Sequence, residues 1–220
     1  RGVHTITNRM ELETNYRDSI GWSNRRKVFL AEEYIDGDEF TVDGLVVNGN
    51  HYPLCVSVKE MYPQNPNISR TQSYSYLSEK HDYNLLRNTN KKLIESLGLP
   101  MGLTHSEYRV HNGRYYLIEA GARGGGSNLS GKIVPFMSDI DNYEYLIKEA
   151  LGETVDEAAV REKIFSEDKY AVMRFFDFGE GVVDHVDGKD FLINHPMLID
   201  YQLEVKPGDE LKNPKYGRLR

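Results

Sequence analysis

The hydrophobic positions of this chain come in short runs divided by Gly, Pro, Asn and Asp, a texture that predicts strands more often than helices. Residues 27–35, K-V-F-L-A-E-E-Y-I, read as a buried strand that ends in polar residues. Residues 38–47, D-E-F-T-V-D-G-L-V-V, form a second strand rich in β-formers. Asn48-Gly49-Asn50 is a hairpin turn signal, and H-Y-P-L-C-V-S-V-K follows as a third strand. Residues 60–75, with Pro63, Asn65, Pro66 and Asn67, read as a loop. The pattern then changes period. Leu85, Leu86, Leu93, Ile94 and Leu97 can share one broad face of a helix over 81–97, stopped by Gly98 and Pro100.

Two more strands are expected at 103–111 and 114–120, around the His111-Asn112-Gly113 turn. A glycine loop at 124–126 leads to a helix that Asp139 or Asp141 caps and Gly152 ends. Thr154 and Glu157 make a capping-box pattern for another short helix. From Tyr170 onward short apolar runs alternate with Gly and Asp turns, which predicts a small β-rich unit. The organisation expected is therefore 1–152 as one lobe and 153–220 as a small subdomain, in an α+β fold.

Composition narrows the class. The chain has 220 residues, 39% of them hydrophobic, enough for one sizeable core or a larger lobe with a smaller one. A formal net charge of −7, with no basic run longer than Arg25-Arg26-Lys27, disfavours a nucleic-acid partner. No apolar stretch approaches a membrane span, and no secretory signal opens the chain. Cys55 is the only cysteine, so neither a disulfide framework nor a cysteine-rich zinc site can form within the chain. These features fit a soluble cytoplasmic protein. The opening Arg1-Gly2-Val3 and the closing Lys215-Tyr216-Gly217-Arg218-Leu219-Arg220 read as the ends of a piece of something longer.

The densest chemistry lies in E-Y-R-V-H-N-G-R-Y-Y-L-I-E-A-G-A-R-G-G-G-S-N-L-S, residues 107–130. Glu107 and Glu119 flank the turn, Arg123 follows the second carboxylate by four positions, and three glycines and Ser127-Asn128 complete the run. Carboxylates hold hard cations, arginine answers phosphate charge, and bare backbone lets phosphates come close. The spacing sets a condition. With a strict two-residue loop at Asn112-Gly113, Glu107 would pair with Ile118, and Glu119 would point to the opposite face. The carboxylates share a face only with an extra loop residue or a bulge. Without one, both read as solvated strand glutamates, the glycines as a plain loop and Arg123 as a surface ion pair. His105 and His111 fall on Glu107's side of the strand, but a His–Glu transition-metal site ranks below magnesium. No H-E-x-x-H, G-x-S-x-G or Walker A pattern occurs.

Three segments resemble the ATP-grasp superfamily of ATP-dependent carboxylate–amine ligases: L-A-E-E-Y-I-D-G-D-E-F-T-V-D-G at 30–44; Glu107, Glu119 and Arg123; and G-G-G-S-N-L-S-G-K-I-V-P with the Ile140-Asp141 helix to Gly152. The third is similar to the ligases grouped with carbamoyl phosphate synthetase, biotin carboxylase and the L-amino acid ligases. Arg1-Gly2-Val3 looks like the tail of that family's glycine-rich phosphate loop. The resemblance implies an ATP-grasp C-terminal lobe, an antiparallel sheet with helices on one face, followed by the small subdomain. It implies that Glu33 and Ile35 meet adenine through backbone groups, with Glu32 at the same edge, and that Tyr34 packs there. Glu39 would hold the ribose hydroxyls. Glu107 and Glu119 would coordinate Mg2+, with Mn2+ as the alternative ion, on the ATP phosphates. Arg123 would stabilise the acyl phosphate, and Ser127 and Asn128 would line the substrate pocket. Lys59 would contact a phosphate or carboxylate, or else stand solvated at its strand end. Many members carry an asparagine two positions after the second glutamate, where this chain has Gly121, so either one metal is held less fully or Asn128 or water supplies that ligand.

The activity implied is an ADP-forming ligation of a small carboxylate to an amine through an acyl phosphate. The alternatives are a non-catalytic nucleotide-binding or regulatory module of the same fold, and an inactive fragment of the enzyme. Oligomeric state stays open, a homodimer included. Removing either carboxylate is expected to cost activity far more than stability.

Overall fold

The computed structural model describes residues 2–22, 28–63, 65–164, 169–176 and 179–211. The Arg25-Arg26-Lys27 run and residues 215–220 lie outside them. An antiparallel sheet of six strands organises the described chain: β1 (Glu39–Val47), β2 (Asn50–Tyr62), β3 (Asn65–Ser75), β4 (Gly102–His111), β5 (Arg114–Gly121) and β6 (Tyr170–Arg174), in the spatial order β5-β4-β1-β2-β3-β6. β1 pairs with β2, and β4 with β5, through tight turns, whereas β4 returns to pair with β1 and β6 with β3. At Asn48-Gly49 both residues sit at positive φ, 51° and 79°, the conformation that suits a two-residue hairpin.

β1 lies near the middle of the sheet, and nearly all of it is buried. Its side chains alternate between two environments. Phe40 and Val42 point into a core completed by Val56, Tyr108 and the helix α2 (Tyr83–Ser96). Leu45 and Val47 point the other way. Their core includes Leu103 and the segment from Leu129 to Ile140, which holds a π-turn (Leu129–Ile133) and α3 (Val134–Ser138), and extends to Val155 and Val160. Asp82 caps α2 by accepting the Leu85 N–H at 2.8 Å. The helix buries Tyr83, Leu86, Arg87, Asn90 and Ile94, whereas Leu85 and Leu97 are exposed. The inward stripe is thus rotated from the all-leucine face, because aromatic and polar side chains complete it.

α4 (Asn142–Ala150) is capped by Asp141, while Asp139 ends α3 in a left-handed conformation. α5 (Glu157–Lys163) starts two residues later than the Thr154 pattern predicts. Its N-cap is Asp156, whose carboxylate accepts the N–H groups of Ala158 and Ala159. An N-terminal helix, α1 (Arg9–Gly21), with Asn8 as its cap, has no counterpart in the sequence reading, and it buries no residue. After β6 the described chain holds β7 (Gly181–Val182), α6 (Lys189–Ile193) and β8 (Glu210–Leu211).

Two expected elements are corrected. Residues 28–37 form no strand: Leu30 is 82% exposed, and no ladder receives the segment. The predicted loop at 60–75 is instead the end of β2 and all of β3. Pro66 is accommodated because β6 joins β3 only from Thr71 onward, so a missing N–H near residue 66 disturbs no pairing on that side.

Candidate functional site

On the face of β1 that carries Leu45 and Val47, the other alternate positions are Glu39, Thr41 and Asp43. Cross-strand pairing sets Arg109, Glu107 and His105 of β4 beside them, and Lys59, Ser57 and Cys55 of β2 on the other side. A continuous polar chain results. Asp43 Oδ1 accepts from His105 Nδ1 at 2.9 Å, and His105 Nε2 reaches Glu107 Oε1 at 3.3 Å. Lys59 Nζ lies 2.8 Å from both Glu107 Oε2 and Glu39 Oε1. Arg109 Nε donates to Glu39 Oε2 at 3.0 Å, and its Nη1 donates to the Ile35 carbonyl at 3.1 Å. The Lys59 side chain is 8% exposed, so it is not a solvated strand-end lysine.

Electrostatics follow from this order. Burial alone would raise the Glu107 carboxyl, but His105 and Lys59 outweigh it and hold the group down at about 2. Burial alone would lower His105, but the hydrogen bonds and charges of Asp43 and Glu107 raise it to about 9. Glu107 is therefore an anion between two cations. Its replacement by alanine would leave Lys59 and His105 buried with one counter-charge fewer. The expectation that removing either carboxylate spares stability is thus corrected for Glu107.

The condition on the carboxylates is met. His111 pairs with Arg114 across a turn whose Asn112 and Gly113 have φ of 50° and 73°. The register then shifts: Tyr108 faces Leu117, whereas Glu107 faces Glu119, leaving Ile118 as the extra residue of a bulge. Glu119 therefore lies directly opposite Glu107. Arg123 Nη2 is 3.7 Å from Glu119, and both side chains are exposed.

The glycine loop is not uniformly open. A Cβ on Gly124 would meet Ser130 Oγ at 2.3 Å, and one on Gly125 would meet Asp43 Oδ1 at 2.7 Å. Only Gly126 faces open space. Positive φ falls instead on Ser127 and Asn128, 53° and 59°. Two of the three glycines thus serve close packing, Gly124 against Ser130 of the following turn and Gly125 against Asp43 and His105 of the sheet.

An open groove of about 2370 Å3 runs over this face, and Glu39, Lys59, Glu107, Ser127 and Asn128 border it. Glu119 and Arg123 stand on the edge strand and just beyond it, outside that lining. So do Glu32, Glu33, Tyr34 and Ile35, which sit in the strand-free segment. Tyr34 is 57% exposed, with the Arg109 guanidinium 5.3 Å from its ring centre. Sequence reasoning missed Arg109 as the link between this segment and Glu39, and it missed Asp43. Both were visible as alternate positions, Glu39-Thr41-Asp43 and His105-Glu107-Arg109, each on one strand face.

Among the described residues no group of three or more His, Cys, Asp or Glu side chains stands ready to hold a metal ion unaided. The opposed pair still fits magnesium, which is bound through one or two carboxylates and completes its shell with phosphate oxygens and water. Like charges directly opposite on a sheet are destabilising, and a cation there would relieve them. Among the described residues no helix is long and apolar enough to cross a membrane.

The ATP-grasp domain model matches residues 1–131, and the chain belongs to the ATP-grasp family. It is 28% identical over 140 residues to dapdiamide A synthase of Enterobacter agglomerans, covering 63% of this chain and 29% of that protein. The fold is similar to the L-amino acid ligase of Bacillus licheniformis, with a TM-score of 0.66, 23% identity, and coverage of 83% of this chain and 47% of the other. It is also similar to phosphoribosylglycinamide synthetase of Anaerococcus prevotii, with a TM-score of 0.63, 17% identity, and coverage of 93% and 51%. The chain therefore spans about half or less of the proteins it matches.

Proposed function

We propose that the whole protein is an ADP-forming carboxylate–amine ligase and that the groove face carries its side of the MgATP site. The observation that carries this reading is the bulge at Ile118, which puts Glu107 and Glu119 opposite each other beside the Lys59–Glu39–Arg109 chain. Glu107 and Glu119 would hold magnesium, which when bound offsets the charge of the nucleotide phosphates. Lys59, presented between two carboxylates, would turn toward phosphate oxygen when nucleotide arrives. Glu39 would accept from the ribose hydroxyls, though both of its oxygens are already paired in this structure. Adenine would lie along residues 32–35, where the Ile35 carbonyl is held by Arg109.

Arg123 is exposed beside Glu119, with Nη1 donating to the Gly124 carbonyl at 2.9 Å, and would leave these partners for an acyl phosphate or its tetrahedral successor by charge-assisted hydrogen bonds. Asn128 would orient the acceptor or complete the metal shell that Gly121 leaves short. The substrates would be a small carboxylate and an amine, as the dapdiamide A synthase and L-amino acid ligase likenesses favour. A cytoplasmic setting goes with that chemistry. We keep 1–152 as the nucleotide-binding lobe and 153–220 as a smaller unit, noting that Tyr170–Arg174 pairs with β3 across that division. Limited proteolysis that releases a stable piece ending near residue 153 would support the division, and uniform degradation would count against it.

Isothermal titration of MgATP into the whole protein, wild type and Glu119→Ala, tests the reading. Weakened binding together with lost phosphate release in the variant supports it, and unchanged turnover overturns it. One observation favours the non-catalytic alternative: both oxygens of Glu107 are already paired, so a cation there must displace a partner. Nucleotide binding without phosphate release under any carboxylate and amine would select that alternative.

A further inference from the structure

Asp43 is 2% exposed, and one carboxylate oxygen, Oδ2, has no hydrogen-bond partner. It sits between Thr41 and Leu45 on the groove face, beside the buried Cys55. A buried carboxylate that is only half satisfied is a poor way to stabilise a sheet, because an apolar residue of similar size would avoid the desolvation cost. Something other than packing accounts for it.

Two contacts show what it holds. His105 can only donate to carboxylate oxygens, so its ring offers Nδ1–H to Asp43 at 2.9 Å and Nε2–H to Glu107 at 3.3 Å. Both nitrogens are engaged, and the ring is fixed between the two acids. Gly125 lies against the same pair: a Cβ there would stand 2.7 Å from Asp43 Oδ1 and 3.1 Å from His105 Nδ1. The loop is pinned further by Ser130, whose hydroxyl donates to the Gly125 carbonyl at 3.4 Å. The Asp43–His105 pair thus touches the glycine loop on one side and the Glu107 carboxylate on the other.

We propose that Asp43 and His105 are positioning residues that tie the seat of the glycine loop to the orientation of Glu107. Displacement of the loop at Gly125 moves the Asp43–His105 hydrogen bond, which turns the imidazole and with it the carboxylate that faces Glu119. Conversely, a ligand drawn to Glu107 tightens the loop beside Ser127 and Asn128. This rests on the nucleotide-site reading above and adds to it a physical link between the metal carboxylate and the substrate side of the groove.

The test uses the whole protein and Mn2+ with ADP as probe, measured by titration calorimetry and by the Mn2+ spin-resonance signal. Asp43→Asn keeps size and shape but removes the charge that holds the imidazole. It is expected to weaken Mn2+ binding by roughly 10-fold, as loss of an outer-shell partner typically does. Amide exchange at residues 124–128 should speed up in the same variant. Gly125→Ala, made from the loop side, should give the same two changes. The double variant Asp43→Asn/Gly125→Ala should cost little more than either single, because both break one link.

Affinity for ADP titrated without metal, in EDTA, should fall less than the Mn2+ affinity, a split that general loosening of the fold would not give. Wild-type Mn2+ affinity in both single variants, with Glu119→Ala still weakened, overturns this proposal and leaves the site reading intact. Wild-type affinity in Glu119→Ala as well removes the site reading itself. Additive losses in the double variant also overturn the link.

Discussion

The two faces of β1 obey different rules. On the α2 face, Phe40, Val42 and Val46 are apolar and fully buried, and tyrosine and leucine side chains pack with Phe40 and Val42. On the groove face the sequence of side chains is Glu39, Thr41, Asp43, Leu45 and Val47, polar at one end and apolar at the other. Two buried histidines mark the contrast. His51, in contact with Gly44 and bonded to Thr104 on the α2 side, is pushed down to about 4 by burial. His105, paired with Asp43 on the groove side, is raised to about 9 by two carboxylates. One strand thus builds a core with one set of alternate residues and a charged, solvent-reaching site with the other. The first set answers to packing, and the second carries polar groups whose burial packing alone would not favour.

The sharpest way to break this division is to cut the core face and watch the site. Leu86→Ala removes a fully buried side chain of α2 and should cost about 2–5 kcal/mol in urea unfolding. MgATP affinity, measured well below the melting temperature, should stay within a factor of about 2, since distant sites act independently. A parallel loss of affinity would mean that the two faces are not separable. The complementary cut is Glu119→Ala. Glu119 is exposed, so unfolding should shift by less than about 0.5 kcal/mol. Activity should fall by more than about 100-fold, because even outer-shell partners of a metal cost 10- to 100-fold. Activity within a few-fold of wild type would break the comparison from the other side.

Much of this was legible from residues alone. The strands at 38–47, 103–111 and 114–120 and both hairpin turns follow from β-formers and Asn-Gly signals, whereas counting across Asn112-Gly113 yields only the condition, an extra loop residue or a bulge, that the register at Ile118 meets. What was not legible has physical causes. The run at 27–35 is as apolar as a strand, but a strand needs a neighbour, and local pattern does not reveal whether one exists. The prolines at 63 and 66 signal a loop because sequence does not show that β6 starts pairing only at Thr71. The ion chain was hidden for a different reason. Lys59, Glu39 and Arg109 come from three strands, and only the register brings them together.

A third prediction uses the histidines. The folded pKa of His51 is depressed below its unfolded value, so the unfolded chain binds the extra proton. Stability tied to His51 is therefore complete above about pH 6.5 and is lost as pH falls toward 4. The loss is on the order of 3 kcal/mol or less. Urea midpoints measured between pH 7 and pH 4.5 in wild type and in His51→Gln should converge as pH falls, because only the wild type loses this contribution. Parallel curves would mean that His51 is not held neutral by burial.

The smallest expected effect separates groove-face polarity that serves the site from polarity that merely satisfies itself. Thr41 Oγ1 and Ser57 Oγ share a hydrogen bond of 2.7 Å, and both residues are fully buried beside Glu107. The pair touches no other charged group in that bond, so it should behave as a closed unit. Ser57→Ala alone strands the Thr41 hydroxyl and should cost about 1–3 kcal/mol. The double variant Thr41→Val/Ser57→Ala removes both partners with little change of shape and should return to within about 1 kcal/mol of wild type. Its Mn2+–ADP affinity should match wild type, in contrast to Asp43→Asn two positions along β1. If the double variant instead loses affinity as Asp43→Asn does, the working part of the face extends through Thr41 and Ser57. The boundary between site and scaffold then moves from the Asp43–His105–Glu107 chain to the full polar half of β1.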